Sequence, residues 1–215
     1  MVRVELKTEA DAQALAAKSA AAAARAALPT HARARILAAT ADALEKEAET
    51  FARLIVEEVK KPLKDARREA ARAAFTFRWA AEESRRIEGE VLPLDLDAGS
   101  EGRYALVKRV PKGPALFITP FNFPLNLVAH KVAPAVAAGL PFVLKADPRA
   151  PKCAERLVEL LVAAGWPADA ALVAILREGR VLVPQPQDPL QAGDELFFVT
   201  TQDVEADLER LFSAD

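Results

Sequence analysis

Two short stretches of this 215-residue chain carry residue types able to do chemistry, and each follows an apolar run. The first is Ile118-Thr119-Pro120-Phe121-Asn122-Phe123-Pro124, after the run Ala115-Leu116-Phe117-Ile118. At the carboxyl end of a buried parallel strand, just before a helix, it would sit where open α/β sheets bind ligands. The Asn122 amide has two uses there. It can donate to an oxyanion as charge develops, or it can cap the helix while the prolines shape the entry. The second is Lys145, which ends the run Pro141-Phe142-Val143-Leu144. Its ammonium can bind ribose hydroxyls or phosphate oxygens, or simply stay solvated.

Other reactive types are scarce. Cys153 is the single cysteine, so no intrachain disulfide can form and a reducing, cytoplasmic setting is expected. It falls on the helix expected after Pro151, in no catalytic motif, and reads as a packing residue. The two histidines, His31 and His130, are too far apart in the chain to build a metal site by themselves. A formal net charge of -2 supplies no field for nucleic acid or an anionic membrane. The pairs Arg67-Arg68 and Arg85-Arg86, interleaved with Glu69, Glu82, Glu83 and Glu88, read as a solvated helix face. The N-terminus carries Glu5, Glu9 and Asp11 where a signal peptide would be basic and then apolar. The longest apolar stretch, Val132 to Leu144, is shorter than the roughly 20 residues a membrane span needs. No membrane insertion is therefore expected.

The elements that must position Asn122 and Lys145 can be read from periodicity. The first ninety residues read as helix, punctuated by Pro29 and Pro62. From Thr30 to Lys60 the residues Ile36, Leu37, Leu44, Phe51, Leu54 and Ile55 form one apolar stripe, with Thr30 as an N-cap. A further helix runs from Pro62 to about Ile87, with Phe75, Phe77 and Trp79 expected in the core, and Gly89 ends it. Tyr104 to Val110 alternates like an edge strand before a turn at Pro111-Lys112-Gly113. Then follow strand Ala115–Ile118, helix 124–138, strand 141–144 and helix 151–164, stopped by Gly139 and Gly165. This order predicts a right-handed crossover and the start of a doubly wound parallel sheet, two strands long. After Trp166-Pro167 the pattern changes to strand-like Ala171 to Leu176, Arg180 to Val183 and Glu195 to Thr200, then a helix from Gln202 to Phe212. The expected fold class is α/β: a helical lead-in, a partial parallel Rossmann-like sheet, and a small β-meander with one helix. The boundary is placed near Ala168-Asp169, giving units 1–168 and 169–215.

The motifs also resemble a known family. Gly113-Pro114, Ile118 through Leu125, His130-Lys131-Val132-Ala133-Pro134-Ala135, Ala138-Gly139 and Val143-Leu144-Lys145 are similar to the NAD(P)-dependent aldehyde dehydrogenases. So are Glu159-Leu160-Leu161 with Ala164-Gly165-Trp166-Pro167 and, upstream, Glu57-Glu58 with Lys61-Pro62, Ala80-Ala81-Glu82-Glu83 and Arg86-Ile87-Glu88-Gly89-Glu90. The resemblance covers about residues 1–168. It implies that Ile118, Thr119, Pro120 and Phe121 line a cofactor cleft. Asn122 would stabilise the oxyanion formed when a thiolate adds to an aldehyde. Lys145 would hold the adenosine ribose of NAD or the extra phosphate of NADP. His130 and Lys131 would be structural, and neither Mg nor Zn is implied. The family's usual proline after the ribose lysine is replaced by Ala146-Asp147-Pro148, which leaves the cofactor preference open. The resemblance does not extend to the glycine-containing pyrophosphate turn, the general-base glutamate or the nucleophilic cysteine. Without that thiolate an oxyanion donor has nothing to stabilise, so no aldehyde oxidation is expected from the chain alone.

The tail resembles something different. Val173 through Pro184 and Leu190 through Leu196 are similar to the second half of the C-terminal domain of Trk-type potassium-conductance regulators. That resemblance implies a homodimer through the tail and small regulatory ligands. Three readings follow: a truncated dehydrogenase fused to a regulatory tail and inactive alone, an NAD(P)- or small-ligand-binding module linked to potassium transport, or an enzyme completed by a partner chain.

Overall fold

The computed structural model describes residues 3–5 and 28–175. Strand β1 (Arg3–Glu5) is followed by α1 (Thr30–Lys46), α2 (Ala48–Val59) and α3 (Leu63–Glu83). A two-stranded antiparallel ribbon comes next, β2 (Glu90–Pro93) with β3 (Tyr104–Val107). The alternating part contains β4 (Ala115–Ile118), α4 (Asn126–Ala138), β5 (Phe142–Lys145), α5 (Pro151–Ala163) and β6 (Ala171–Ile175). The expected class is what is observed: helices leading into a partial Rossmann-like parallel sheet.

The sheet order is β1-β6-β5-β4, and each of the three pairings is parallel. Two expectations are corrected here. Residues Arg3–Glu5 are strand rather than helix, completed only by long-range pairing with Val173, Ala174 and Ile175. Ala171–Ile175 extends the parallel sheet beside β5 instead of opening an antiparallel hairpin, so the described sheet has four strands rather than two. A short apolar run fits either partner, and the crossover through α5 decides for the parallel one. The later strands and closing helix expected of the tail lie outside the described residues.

Burial explains the lead-in. Ala34, Ile36, Leu37, Thr40, Ala41 and Leu44 form the inner face of α1. The stripe from Ile36 to Ile55 is buried as expected, but the helix carrying it is interrupted at Glu47, whose carboxylate is held by Arg156 of α5. Thr30 does not cap α1. Pro29 occupies that position, its carbonyl accepting from Ala32 and Arg33, and Thr30 is the first helical residue. In α3 the buried stripe is Ala66, Glu69, Ala70, Ala73, Ala74, Phe77, Ala80 and Ala81. The alanines let α1 and α4 approach closely, while Phe77, Phe51, Phe142 and Trp166 fill the larger spaces of one continuous core. Burying each of these aromatics contributes on the order of 2–3 kcal/mol.

Phe75 and Trp79 are not core. They are 63% and 56% exposed and stack on each other at 6.1 Å. They are one helical turn apart on the face opposite Phe77, so periodicity separates them from it.

Gly139 ends α4 in the left-handed region at φ 76, with its own N–H on the Val136 carbonyl and that of Leu140 on Ala135. Only glycine takes this conformation without strain, and the stop turns the chain directly into β5. A second glycine, Gly89, passes so close to β3 that a Cβ would lie 2.0 Å from the Val107 carbonyl oxygen.

Candidate functional site

The site begins with the register of two strands. Ala115 pairs with Phe142 and Ile118 with Lys145, and the Thr119 N–H extends the ladder to the Lys145 carbonyl at 3.1 Å. This brings Ile118, Thr119 and Lys145 together at the carboxyl ends of β4 and β5. Thr119 is buried, whereas Ile118, Pro120, Phe121 and Asn122 are exposed along the rim. Phe121 lies under the Arg149 guanidinium, 3.5 Å from its ring centroid. Arg149 is itself fixed by two hydrogen bonds to Asp147, at 2.8 and 2.9 Å. Those bonds hold the Asp147 carboxyl below the usual carboxylate range.

Lys145 is largely buried. It is 5% exposed, and its ammonium has no hydrogen-bond or ion-pair partner among the described residues. An ammonium with unused donors at the end of a buried strand can take oxygen ligands. The residues present therefore fit a nucleotide ribose or phosphate at this edge.

The structure excludes one of the two uses of Asn122. Helix α4 starts at Asn126, and its cap position is Leu125, which supplies no side-chain cap. Asn122 lies three residues earlier and does not cap the helix. The cap comes from α3: Glu69 Oε1 accepts from Leu125 N at 3.0 Å and Asn126 N at 3.1 Å. Glu69 Oε2 accepts from the Lys61 ammonium, which also donates to the Asn122 carbonyl at 2.7 Å and stands 3.8 Å over the Phe123 ring. Glu69 is only 2% exposed. Counting it among the solvated charges of α3 was therefore mistaken, although Arg67, Arg68, Arg85 and Arg86 do face solvent. The signal was present in the sequence. Glu69 is three residues after Ala66 and four before Ala73, squarely on the alanine stripe.

Beside this clamp is a cavity of about 450 Å³ lined by Lys61, Pro62, Asp65, Arg68, Glu69, Arg72, Phe123 and Asn126. Lys61 is paired with Glu69 and Arg68 with Asp65, whereas Arg72 has no ion pair among the described residues. The cavity thus carries one uncompensated positive charge.

Cys153 lies in the first turn of α5, fully buried. Burial first, then the nearby Glu58 carboxylate, push its thiol far above the ordinary range, so it is no thiolate at neutral pH. His130, on the outer side of α4, is exposed, and Lys131 beside it is half-buried. Among the described residues no cluster of His, Cys, Asp or Glu could hold a metal ion, and no helix is long and apolar enough to cross a membrane.

Comparison with known proteins gives this geometry a lineage. Residues 1–183 match the aldehyde dehydrogenase family, and residues 159–213 match the TrkA-C domain, the two overlapping over 159–183. Aspartate-semialdehyde dehydrogenase 1 of Pseudomonas canavaninivorans is 48% identical over 149 residues, 69% of this chain and 32% of that protein. The 3-sulfolactaldehyde dehydrogenase of Priestia aryabhattai is 45% identical over 135 residues, 63% of this chain and 28% of that one. Among solved structures, aldehyde dehydrogenase 21 from Physcomitrella patens, in complex with succinate, superposes with a TM-score of 0.75 at 42% identity. It covers 79% of this chain and 36% of that one. NADP-dependent glyceraldehyde-3-phosphate dehydrogenase from Bacillus halodurans C-125, complexed with NADP, gives 0.74 at 36% identity, covering 78% and 36%. The chain thus spans about a third of the length of the relatives it matches. It belongs to the aldehyde dehydrogenase family, as an N-terminal dehydrogenase portion followed by a partial TrkA-C domain.

Proposed function

We propose that this chain binds NAD or NADP through the dehydrogenase portion and does not oxidise aldehydes by itself. The observation that carries the reading is a contrast of two side chains. Lys145 is buried with unused donors at the carboxyl edge of the sheet, whereas Cys153 is buried as a neutral thiol. When bound, the cofactor would supply hydride acceptance. The chain's own residues would hold it: Lys145 by the ribose hydroxyls or the NADP phosphate, with Ile118, Thr119, Pro120 and Phe121 as the wall. Asn122 keeps the amide of an oxyanion donor, but Cys153 offers no thiolate to create the oxyanion.

The uncompensated charge at Arg72 supports a second element, a small acid in the neighbouring cavity. The names of the similar dehydrogenases point the same way, since aspartate semialdehyde and 3-sulfolactaldehyde both carry an acidic group. For the tail we propose self-association, on its match to the TrkA-C domain. The division placed at Ala168-Asp169 falls inside the segment that both families match.

Thermal unfolding with and without millimolar NAD and NADP tests the first element. A ligand at a hundred times its dissociation constant raises stability by about 2.7 kcal/mol. The rise should vanish in Lys145→Ala; an unchanged rise removes Lys145 from the site. Aldehyde-dependent NAD(P)H formation that disappears in Asn122→Ala would overturn the expected inactivity. Removing residues 176–215, which keeps β6, should leave a monomer, and a persistent dimer would place association elsewhere.

A further inference from the structure

The turn from β5 into α5 places a second cation near Lys145. It is closed by the Ala150 N–H on the Asp147 carbonyl at 2.9 Å. Asp147 Oδ1 accepts from the Arg149 backbone N–H at 3.0 Å and from its Nε at 2.8 Å, and Oδ2 accepts from Nη2 at 2.9 Å. One residue thus occupies both oxygens of this carboxylate. The guanidinium is fixed from its other side by the Phe121 ring, 3.5 Å away. Its Nη1 has no partner among the described residues, on a side chain that is 61% exposed. Lys145 belongs to the same cluster. The Asp147 carboxyl is held down first by the Arg149 hydrogen bonds and last by the charge of Lys145, so that ammonium stands within electrostatic reach of it. The Lys145 ammonium has no partner either, and it is not among the polar atoms sealed from solvent.

The ribose end of a dinucleotide can be recognised in two ways. A free carboxylate accepts the 2′-hydroxyl of NAD and repels a phosphate there, whereas an arginine takes the 2′-phosphate of NADP. Here the carboxylate is spent on Arg149, and two cations stand against its single negative charge. We infer that Arg149 is a specificity-determining residue that selects NADP over NAD, sharing the 2′-phosphate with Lys145. This rests on the reading that the dehydrogenase portion binds NAD or NADP at Lys145, and adds the choice between them. Asp147 is the positioning residue: it orients the guanidinium on Phe121 and leaves Nη1 to the ligand.

AMP, adenosine 2′,5′-bisphosphate and adenosine 3′,5′-bisphosphate isolate this end of the cofactor, because they differ only in the second phosphate. Their dissociation constants for the full chain, measured by calorimetry, should place the 2′,5′-bisphosphate about tenfold or more tighter than AMP, with the 3′,5′ isomer weaker than the 2′,5′. NADP should exceed NAD in the same way. Arg149→Ala should close the gap between the 2′,5′-bisphosphate and AMP while leaving AMP unchanged; a merely structural role would weaken both. Lys145→Ala should weaken every one of these ligands. Arg149 is exposed, and the unfolding transition checks that its variant still folds. Equal affinity for AMP and the 2′,5′-bisphosphate, or a gap that persists in Arg149→Ala, overturns the role of Arg149 and leaves the cofactor reading intact. Equal affinity for the two bisphosphates means attraction of charge alone and overturns the 2′-phosphate site. No binding of NAD, NADP or the three nucleotides at millimolar concentration overturns the cofactor reading and this inference together.

Discussion

Helices α4 and α5 each follow a strand of the sheet, and each has its N-terminus capped by a glutamate from the helical lead-in. At α4 the cap is Glu69, buried, with Lys61 behind it. At α5 it is Glu58, half-buried, accepting from Lys152 N at 2.7 Å and Cys153 N at 3.2 Å. The chemistry is the same, a carboxylate on free N–H groups at the positive end of a helix dipole. The surroundings are not. Glu58 is half-buried, whereas Glu69 is 2% exposed. The tighter junction is the one that carries Asn122, whose carbonyl the Lys61 ammonium also holds. The lead-in is therefore part of the site rather than packing around it.

Breaking the buried junction should have the largest effect. Glu69→Ala leaves two amide donors without a partner and a mostly buried Lys61 without its carboxylate, for a loss of about 3–5 kcal/mol in chemical denaturation. A loss below about 1 kcal/mol would mean that water already reaches this junction. Glu58→Ala should cost about 1 kcal/mol, the size of an ordinary helix cap, by the same measurement. A cost equal to that of Glu69→Ala would erase the distinction between the two junctions.

Acid should sharpen the comparison. The Arg149 hydrogen bonds depress the Asp147 carboxyl, so its folded pKa lies below the unfolded value of about 3.9. The stabilisation is present above the unfolded value and is lost as pH falls through the lower folded one. Wild type and Asp147→Asn should therefore differ in unfolding midpoint at neutral pH and converge in strong acid. A difference that stays constant with pH would rule out the ion pair as its source. The smallest effect is expected for Lys152→Ala. Its ion pair with Glu57 is exposed on both sides, and thermal unfolding should show no resolvable shift.

Some of this was legible in the residues. The strand–helix–strand–helix order and the Gly139 stop follow from local apolar runs and from backbone demands that a glycine answers wherever it sits. The placement of Asn122 and Lys145 at strand ends follows from the same runs. Other features were not legible, because their partners are distant in the chain. Arg3–Glu5 is a strand only through β6, about 170 residues later. Thr30 looked like a cap, but Pro29 took the position. Phe75 and Trp79 looked like core until the packing of α3 showed which face is covered.

The sequence by itself determined the family, the alternating order from β4 to α5 and which residues stand at the carboxyl edge of the sheet, because motif spacing and periodicity are properties of the local chain. Only the tertiary structure decided that Lys145 is buried with unused donors, that Asn122 is free of the helix cap, and that Glu69 and Lys61 hold its loop. Those are facts of dielectric and of which groups meet across tens of residues, and burial is set by what packs on a face rather than by the residues on it.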